Sequence, residues 1–249
     1  MTLRTSLVFS ALAVLLAGCR SSGCHASTPP PASSVAAPVT SHAPDPDSVI
    51  TDPDDYPVVP DGGTRAAGPP PAGMAVATFA GGCFWCMEAA FEHLPGVHDA
   101  ISGYTGGAPE HPTYDDVSNH RTTQAEAVRV LYNPAVITYD QLLAVFWRRI
   151  DPTGVDHAFS DSGHQYRSVV FVHDAAQRAA ATGTRSGIAA AGHFSDPITT
   201  TIEDAGVFWV AEDYHQNFWR THPNHYRAYH DHSGRREMLR EHWGAGAPY

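Results

Sequence analysis

The sequence of 249 residues contains no lysine, so arginine supplies all 15 of its basic side chains. Against 26 Asp and Glu residues, this leaves a formal net charge of −11 at pH 7. A chain this acidic has no broad positive field to attract phosphate groups, and its arginines form no run. We therefore do not expect nucleic acid as a partner.

Cysteine is also scarce. The four cysteines fall in two close pairs, Cys19 with Cys24 and Cys83 with Cys86, and none follows residue 86. A small secreted fold held by disulfides would spread its cysteines through the whole body. Because 43% of the residues are hydrophobic, we expect a packed core to hold the body instead. The cysteines are therefore interpreted for their chemistry.

The N-terminal segment has the features of an export signal. Arg4 precedes an apolar stretch at 7–16, which is too short to span a bilayer permanently. Residues 16–19, Leu-Ala-Gly-Cys, resemble a bacterial lipobox, which implies cleavage after a signal peptide at 1–18 and lipid attachment to Cys19. An ordinary signal peptide with Cys19 near the cut is the alternative.

Residues 19–72 are rich in Pro, Ala, Ser and Asp and lack an apolar periodicity. Such a segment cannot bury enough apolar surface to offset its chain entropy. We predict a disordered tether there, in which Cys24 is a free thiol, followed by a catalytic domain over 73–249.

The body predicts one α+β domain. Alternating or β-branched apolar runs predict strands at 75–79, 97–103, 126–132, 168–172 and 198–203. Helices are predicted at 83–93, from Thr138 to about Ile150, at 175–191 and at 211–221. Thr138 and Gln141 fit a capping box, and Gly192 fits a helix end. We expect a mixed or antiparallel sheet with helices packed on it, in a ferredoxin-like two-layer core, and long functional loops at 103–125 and 151–166.

The pair Cys83 and Cys86 follows a Gly81-Gly82 turn at the start of a predicted helix. The partial positive charge of a helix N-terminus stabilises a thiolate, so we expect a lowered pKa at Cys83. Cys86 lies three residues further on and shares a helix face with Cys83. A sulfenic acid formed on Cys83 would then be captured by Cys86 as a disulfide.

Three other interpretations of this pair stay open from local sequence alone. A structural zinc site needs four ligands, and the body contains no second cysteine pair. A buried structural disulfide is the second alternative. The third is a thioredoxin-like redox motif, in which Trp normally precedes the first cysteine, whereas Phe84 and Trp85 lie between the two cysteines here.

Residues 82–88, Gly-Cys-Phe-Trp-Cys-Met-Glu, resemble the signature of the A-type peptide-methionine sulfoxide reductases. Seven further blocks resemble the family in the same order: 102–107, 112–114, 125–128, 145–147, 150–153, 165–168 and 211–216. The resemblance covers about 75 to 243. It implies reduction of the S epimer of methionine sulfoxide, as the free amino acid or within proteins.

The resemblance also implies roles for individual residues. Cys83 attacks the sulfoxide sulfur, and Glu126 gives a proton to the sulfoxide oxygen. Tyr114 and Tyr166 donate hydrogen bonds to that oxygen, and Asp161 helps to organise the site. A carboxyl group that donates a proton near neutral pH needs a raised pKa, so we expect Glu126 in an apolar, buried setting. Neutral phenols suit an oxygen on which negative charge develops.

The remaining implied roles concern substrate binding and recycling. Phe84 and Trp85 hold the terminal methyl group of the substrate, and Cys86 resolves the sulfenic acid. A thioredoxin-like dithiol then reduces the disulfide, and no bound cofactor or metal is expected. The chain departs from the common family pattern at His111 and at Thr123-Gln124, which would alter substrate access.

Two rival functions remain on the sequence. One is a thiol–disulfide exchange enzyme, which needs neither Glu126 nor the tyrosine pair. The other is a metal-binding lipoprotein that uses the C-terminal histidines 222, 225, 230 and 232, although their irregular spacing favours surface and loop positions. The leading hypothesis is a monomeric repair enzyme, anchored in the bacterial cell envelope by its lipid.

Overall fold

The structure is a computed structural model that describes residues 64–244. The predicted signal peptide, the lipidation site Cys19, the thiol at Cys24 and most of the predicted tether lie outside the described residues. The strands are β1 Arg65–Ala66, β2 Ala75–Gly81, β3 Val97–Thr105, β4 Ala125–Tyr132, β5 His157–Ala158, β6 Asp161–Ser162, β7 Ser168–Val172, β8 Thr201–Asp204 and β9 Trp209–Val210.

The helices of the described residues are α1 Phe84–Phe91, α2 Tyr114–Ser118, α3 Tyr139–Trp147, α4 Ala175–Ala191, α5 Phe218–Thr221, α6 Pro223–His232 and α7 Arg235–Trp243. Two short 3₁₀ turns, His164–Tyr166 and Asp213–His215, complete the list. Within residues 64–244, none of the helices is long and apolar enough to cross a membrane.

Seven strands form one sheet in the order β1-β9-β3-β4-β2-β7-β8, and β5 and β6 form a separate hairpin. All neighbours in the large sheet are antiparallel except β7 and β8, which are parallel. The segment β2-α1-β3-β4-α3-β7 has the connectivity of a ferredoxin-like unit, and its strands stand in the order β3-β4-β2-β7. The predicted mixed-sheet α+β fold is therefore confirmed.

The faces of β4 show how the core is divided. Val128 and Val130 belong to the apolar cluster that includes residues of α1 and α3. Ala127 and Leu131 belong to a second cluster on the opposite face. Because side chains alternate along a strand, Glu126 lies on the same side of β4 as Val128, which is the side of α1.

The predicted helix ends of α3 and α4 are confirmed. Thr138 and Gln141 form a reciprocal capping box, in which the Gln141 N–H donates to Thr138 Oγ1 at 3.2 Å. Gly192 ends α4 with a φ of +69°, a left-handed conformation that glycine adopts without strain.

Two predicted elements differ in the structure. Strand β8 begins at Thr201 rather than residue 198, because the N–H groups of Thr199 and Thr200 donate to the carbonyl of Pro152 instead. The single helix predicted at 211–221 is absent among the described residues. The Gln216 side chain bonds both the N–H and the carbonyl of Ser102, which fixes this stretch in a non-helical path, and only Phe218–Thr221 forms an α-helix.

The described structure also includes residues before the predicted domain boundary at 73. β1 falls inside the stretch 19–72 that was predicted to be a disordered tether, yet Arg65 and Ala66 pair with β9. The hydroxyl of Thr64 donates to the carbonyl of Pro112 at 2.8 Å. Main-chain hydrogen bonds to the edge of the sheet hold β1 in place, and such bonds need no apolar pattern in the added strand. For residues 64–72, the prediction of disorder is wrong.

Candidate active site

The turn between β2 and α1 sets the position of Cys83. Gly82 has a φ of +87°, and a Cβ atom there would lie 2.7 Å from the Cβ of Ala158. Only glycine satisfies both conditions without displacing a neighbour. Cys83 was predicted to be the first residue of this helix. In the structure it is the N-cap of α1 instead, because its φ of −49° and ψ of 121° are not helical.

The side chain of this N-cap makes no capping hydrogen bond. Two carboxyl groups from distant elements accept the first N–H groups instead. The Phe84 N–H donates to Oε2 of Glu126 on β4 at 3.0 Å. The Cys83 N–H donates to the carboxyl of Asp161 on β6. The start of α1 thus brings both carboxyl groups beside the first cysteine.

Cys83 and Cys86 are both free thiols and both buried, and each shifts the pKa of the other. Burial raises the pKa of Cys83 well above its usual value, and the charges of Cys86, Glu126 and Asp161 add to the rise. The prediction of a lowered pKa at Cys83 is therefore wrong for this state. The loss of hydration and the nearby negative groups outweigh the helix N-terminus.

The pKa of Cys86 shifts in the opposite direction. The hydrogen bond from Cys83 lowers the pKa of Cys86 to about 7, although burial opposes the shift. The positive charge of Arg235 and a hydrogen bond with Tyr226 lower it further. Of the two thiols, Cys86 therefore loses its proton more readily than Cys83.

Glu126 is only 2% exposed. Burial raises its pKa to about 8, the N–H of Phe84 opposes this, and the charges of Asp161 and Cys86 add to it. The carboxyl group therefore keeps its proton at neutral pH, as a proton donor must. The expected burial and raised pKa are confirmed, while the role of Glu126 stays a prediction.

Tyr114 and Tyr166 lie at the same site. Tyr114 is the first residue of α2, and its N–H donates to Oε1 of Glu212 at 2.8 Å. Burial raises the pKa of Tyr114 to about 12, and the charges of Glu126 and Cys83 add to the rise. Burial likewise raises the pKa of Tyr166, again with Glu126 contributing. Both phenols remain neutral hydrogen-bond donors.

The two departures from the family pattern support the loop that leads to Tyr114. The ring of His111 packs on Trp209 with centroids 4.2 Å apart, and its Nδ1 lies 3.1 Å from the carbonyl oxygen of Thr64. Gln124 donates from Nε2 to the carbonyls of Gly107 at 2.9 Å and Pro109 at 3.0 Å. Both side chains therefore shape the loop rather than point into the reacting centre.

Phe84 and Trp85 form an aromatic wall beside the sulfurs, but they are not equally accessible. Phe84 is 1% exposed and belongs to the core, whereas Trp85 is half-buried. The Trp85 ring stacks on Phe218 with centroids 3.7 Å apart. Its Nε1 donates to Nδ1 of His215 at 3.1 Å, so the proton of this imidazole lies on Nε2. Burial lowers the pKa of His215 to about 4, which keeps the ring neutral.

The sequence analysis assigned no role to a buried carboxyl that fixes this wall. Glu88 is fully buried on α1, accepts the hydroxyl of Ser102, and accepts the N–H of Asn217 at 2.5 Å. Asn217 has a φ of +54° and begins α5, which carries Phe218. The Glu88 carboxyl therefore holds the helix whose phenylalanine supports Trp85.

Other residues of the site come from α6 and α7, which the sequence analysis did not predict. Tyr229 donates its hydroxyl to Oδ2 of Asp161 and packs edge-on against Trp85 at 6.2 Å. Tyr226 and the buried Arg235 both lower the pKa of Cys86. The sequence pattern that could have identified them is the three-residue spacing of Tyr226 and Tyr229, which places both side chains on one face of a helix.

The C-terminal histidines lie in or beside α6 and not in a loop. The rings of His222 and His225 pack against Phe218, with centroids 4.6 Å and 5.3 Å apart. Within residues 64–244, no group of three or more His, Cys, Asp or Glu side chains is placed to hold a metal ion.

The fold and the buried cysteine pair are typical of a thiol-dependent oxidoreductase. Comparison with known sequences agrees: the family described as "Peptide methionine sulfoxide reductase" matches residues 75–247. The MsrA of Bacillus subtilis (strain 168) is 45% identical over 170 residues, which are 68% of this chain and 96% of that protein. The MsrA of Ligilactobacillus salivarius (strain UCC118) is 45% identical over 67% of this chain and 96% of its own.

Solved structures are similar as well. Mxr1 from Saccharomyces cerevisiae in reduced form has a TM-score of 0.58 and 31% identity, over 64% of this chain and 90% of that chain. Methionine sulfoxide reductase A of Corynebacterium diphtheriae has a TM-score of 0.55 and 30% identity, over 61% and 76% of the two chains. The chain belongs to the peptide methionine sulfoxide reductase family.

Proposed function

We propose that this enzyme of the MsrA type reduces the S epimer of methionine sulfoxide, free or within proteins, with Cys83 as nucleophile and Glu126 as proton donor. The observation that carries the proposal is the 3.0 Å hydrogen bond from the Phe84 N–H to Glu126, which holds a protonated carboxyl beside Cys83. A sulfoxide sulfur becomes electrophilic only as its oxygen takes up a proton.

In the first step the Cys83 thiol passes its proton to the neighbouring Cys86 thiolate, and its sulfur donates an electron pair to the sulfoxide sulfur. The sulfur–oxygen bond of the substrate breaks, the proton of Glu126 goes to the oxygen, and the oxygen ends on Cys83 as a sulfenic acid. The substrate sulfur is reduced to methionine and Cys83 is oxidised. Tyr114 and Tyr166 donate hydrogen bonds to the oxygen while negative charge develops on it.

The second step restores the thiols. Cys86 attacks the sulfenic sulfur, the sulfur–sulfur bond forms, and the oxygen leaves as water. Cys83 is the N-cap of α1 and Cys86 lies three residues further along the same helix, so the two sulfurs share one face and can join as a disulfide. A thioredoxin-like dithiol then reduces the disulfide, which is the external reductant that the cycle requires.

Trp85 is the side chain of the aromatic wall that a substrate methyl group reaches, and we assign methyl binding to its ring with Phe84 beneath it. Burial of one methyl group on such a surface contributes about 0.8 kcal/mol.

The purified protein should be incubated with each sulfoxide epimer and dithiothreitol, and the methionine formed should be quantified. We expect turnover of the S epimer alone. Equal rates on both epimers, or none on the S epimer, would exclude the proposal. Thiol–disulfide exchange activity should be measured in parallel. If the protein were the rival thiol–disulfide exchange enzyme, the Glu126→Gln variant would retain this activity, and no sulfoxide reduction would be seen.

We also propose that the protein is a lipoprotein that repairs oxidised proteins in the bacterial cell envelope. Support comes from residues 16–19 and the apolar stretch before them. Metabolic labelling with palmitate, followed by membrane fractionation, tests this proposal. Cys19→Ala should lose the label and the membrane association, and the matched control Cys24→Ala should keep both. Label retained in Cys19→Ala would refute lipidation at this position.

A further inference from the structure

The turn at residues 211–216 resembles the family pattern but carries none of the residues that react in the proposed steps. The side chain of Gln216 fixes it to β3, because Oε1 accepts the Ser102 N–H at 3.1 Å and Nε2 donates to the Ser102 carbonyl at 3.0 Å. Nε2 also donates to the carbonyl of Ala211 at 2.9 Å, and the N–H of Ala211 donates to the Ser102 carbonyl at 3.0 Å. The turn is therefore anchored on the sheet at both of its ends.

The first polar side chain of this turn, Glu212, supports the side of the site that carries Tyr114. Its Oε1 accepts the Tyr114 N–H at 2.8 Å, and its Oε2 accepts the hydroxyl of Tyr104 at 3.0 Å. Tyr104 is fully buried, and its ring centroid lies 5.8 Å from that of Phe84. The first N–H groups of a helix have no partner within the helix, so a side chain has to supply one. The Glu212 carboxyl therefore fixes the main chain from which the Tyr114 phenol projects.

The second polar side chain, His215, supports the opposite side of the site. Its Nδ1 accepts the indole N–H of Trp85 at 3.1 Å, and the imidazole is 1% exposed. The ring centroid lies 4.5 Å from that of Tyr114 and 4.9 Å from that of Phe84. Its Nε2 stands 4.0 Å from Oε2 of Glu212, too far for a hydrogen bond, and has no other partner among the described residues. The imidazole therefore lies between the phenol and the indole, and it is hydrogen-bonded to the indole.

We propose that this turn sets the separation between the oxygen-binding and the methyl-binding sides of the substrate site. Glu212 is the positioning residue for the Tyr114 phenol. His215 is the positioning residue for the Trp85 indole. The inference rests on the proposed function, in which the phenol contacts the sulfoxide oxygen and the indole contacts the terminal methyl group. Both groups are bonded to one sulfur, so the two sides need a fixed separation for that sulfur to reach Cys83.

The test measures kcat and KM on the S epimer with variants of the full-length protein. Glu212→Met removes both acceptor oxygens at similar volume, and Glu212→Gln keeps one oxygen for the Tyr114 N–H. His215→Phe keeps an aromatic ring without an acceptor, and His215→Asn keeps an acceptor in the place of Nδ1. Asp213→Ala, at an exposed residue of the same turn, is the matched control.

The two sides should respond in different kinetic constants. Glu212→Met should lower kcat roughly tenfold with little change in KM, because the Tyr114 phenol acts on charge that develops in the transition state. His215→Phe should raise KM roughly fivefold with little change in kcat, because contact of the methyl group with Trp85 is the same in the ground and transition states. Glu212→Gln and His215→Asn should restore most of each loss, and Asp213→Ala should match the wild type.

Double variants separate positioning from a general effect on the fold. In a Tyr114→Phe background, Glu212→Met should lower kcat by less than about twofold, because the group through which it acts is already gone. In a Trp85→Phe background, His215→Phe should likewise change KM by less than about twofold. A merely structural role would give the full loss in both backgrounds, and that result would overturn the proposal.

Nuclear magnetic resonance of the indole N–H groups gives a readout that needs no substrate. The chain has five tryptophans, and the resonance of Trp85 is the one that disappears in Trp85→Phe. This resonance should move in His215→Phe, return toward its wild-type position in His215→Asn, and stay in place in Asp213→Ala. An unmoved resonance in His215→Phe would refute the role of the imidazole.

If Glu212→Met does not fold, Glu212→Asp decides, because its shorter side chain keeps the charge but withdraws the carboxyl from the Tyr114 N–H. Wild-type kcat in Glu212→Asp would then overturn the role of Glu212. Failure of the proposed function looks different. The wild-type protein itself would form no methionine from the S epimer, while the resonance of Trp85 would still move in His215→Phe.

Discussion

The N–H of Phe84 and Oε2 of Glu126 are 3.0 Å apart, which joins the first turn of the cysteine helix to the middle of the sheet. The bond leaves the second oxygen of a protonated carboxyl free to carry its proton toward the substrate. The same contact therefore brings together the residues that we propose as nucleophile and acid, Cys83 and Glu126. Substitutions of single side chains at the site can test this arrangement.

Replacement of Glu126 by Gln removes the proton donor but keeps an oxygen that accepts the Phe84 N–H. We expect kcat on the S epimer to fall by about 10²- to 10⁴-fold, the usual contribution of a positioned general acid. Glu92→Gln is the control, because Glu92 caps the other end of α1 and accepts the indole N–H of Trp219. Steady-state assays check both variants, and a loss below tenfold in Glu126→Gln would argue against the assigned donor.

The same substitution should stabilise the protein. The pKa of Glu126 is about 8 in the folded state, against 4.5 for an ordinary Glu. Between these pH values the unfolded chain loses a proton that the folded protein keeps, so the contribution of Glu126 to the free energy of unfolding falls as pH rises, and the decline ends near pH 8. Gln has no proton to lose and therefore no such pH dependence. The free energy of unfolding of Glu126→Gln should exceed that of the wild type by an amount that grows with pH to the order of 4 kcal/mol.

Urea unfolding at a series of pH values from 5 to 9 measures this difference. The gap between Glu126→Gln and wild type should widen with pH, while the exposed Glu237→Gln control on α7 should differ little from wild type at any pH. A constant gap would show that Glu126 is not held in its protonated form.

Removal of the phenol groups should slow the chemical step and leave the fold intact. Tyr114→Phe and Tyr166→Phe each lose one hydrogen bond to the oxygen, worth about 1–3 kcal/mol where charge develops, or roughly 10- to 100-fold in kcat. Tyr132→Phe is the control, because Tyr132 is buried at the far end of the strand that carries Glu126. Equal activity of the double variant and the wild type would rule out both assignments.

The resolving cysteine can be tested by stoichiometry. Cys86→Ser should form one methionine per enzyme, because Cys83 can still be oxidised to a sulfenic acid but has no partner for a disulfide. Cys83→Ser should form none. Mass spectrometry of the dimedone-treated protein should detect an adduct on Cys83 in the first variant. Sustained turnover of Cys86→Ser with thioredoxin would show that Cys86 is not required for recycling.

Gly82 should resist substitution more than a helical glycine does. Alanine at this position combines a φ of +87° with a Cβ 2.7 Å from that of Ala158, and we expect a loss of roughly 1–3 kcal/mol in the free energy of unfolding with reduced activity. Gly187 lies inside α4 with no atom within 4 Å of an added Cβ, so Gly187→Ala should gain about 1 kcal/mol. Thermal and urea unfolding give both values, and a neutral Gly82→Ala would contradict the packing argument.

Local sequence identified the elements whose signals are short-range. The capping box of Thr138 and Gln141, the glycine end of α4 at Gly192, and the alternation of β4 all occur in the structure. These features depend on neighbours within a few residues, where hydrogen bonding and periodicity act directly. The resemblance of the residues around Cys83 to one family was likewise visible in the chain alone.

Only the tertiary structure decided which charges face the sulfurs. The charges of Glu126 and Asp161 add to the raised pKa of Cys83, and the charge of Arg235, from a helix about 150 residues further along the chain, lowers the pKa of Cys86. The physical reason is that the pKa of a buried group depends on the burial and the charges around it, which residues distant in sequence supply. The sequence by itself determined which side chains are available for the reaction, and the packing of the elements determined their charge states.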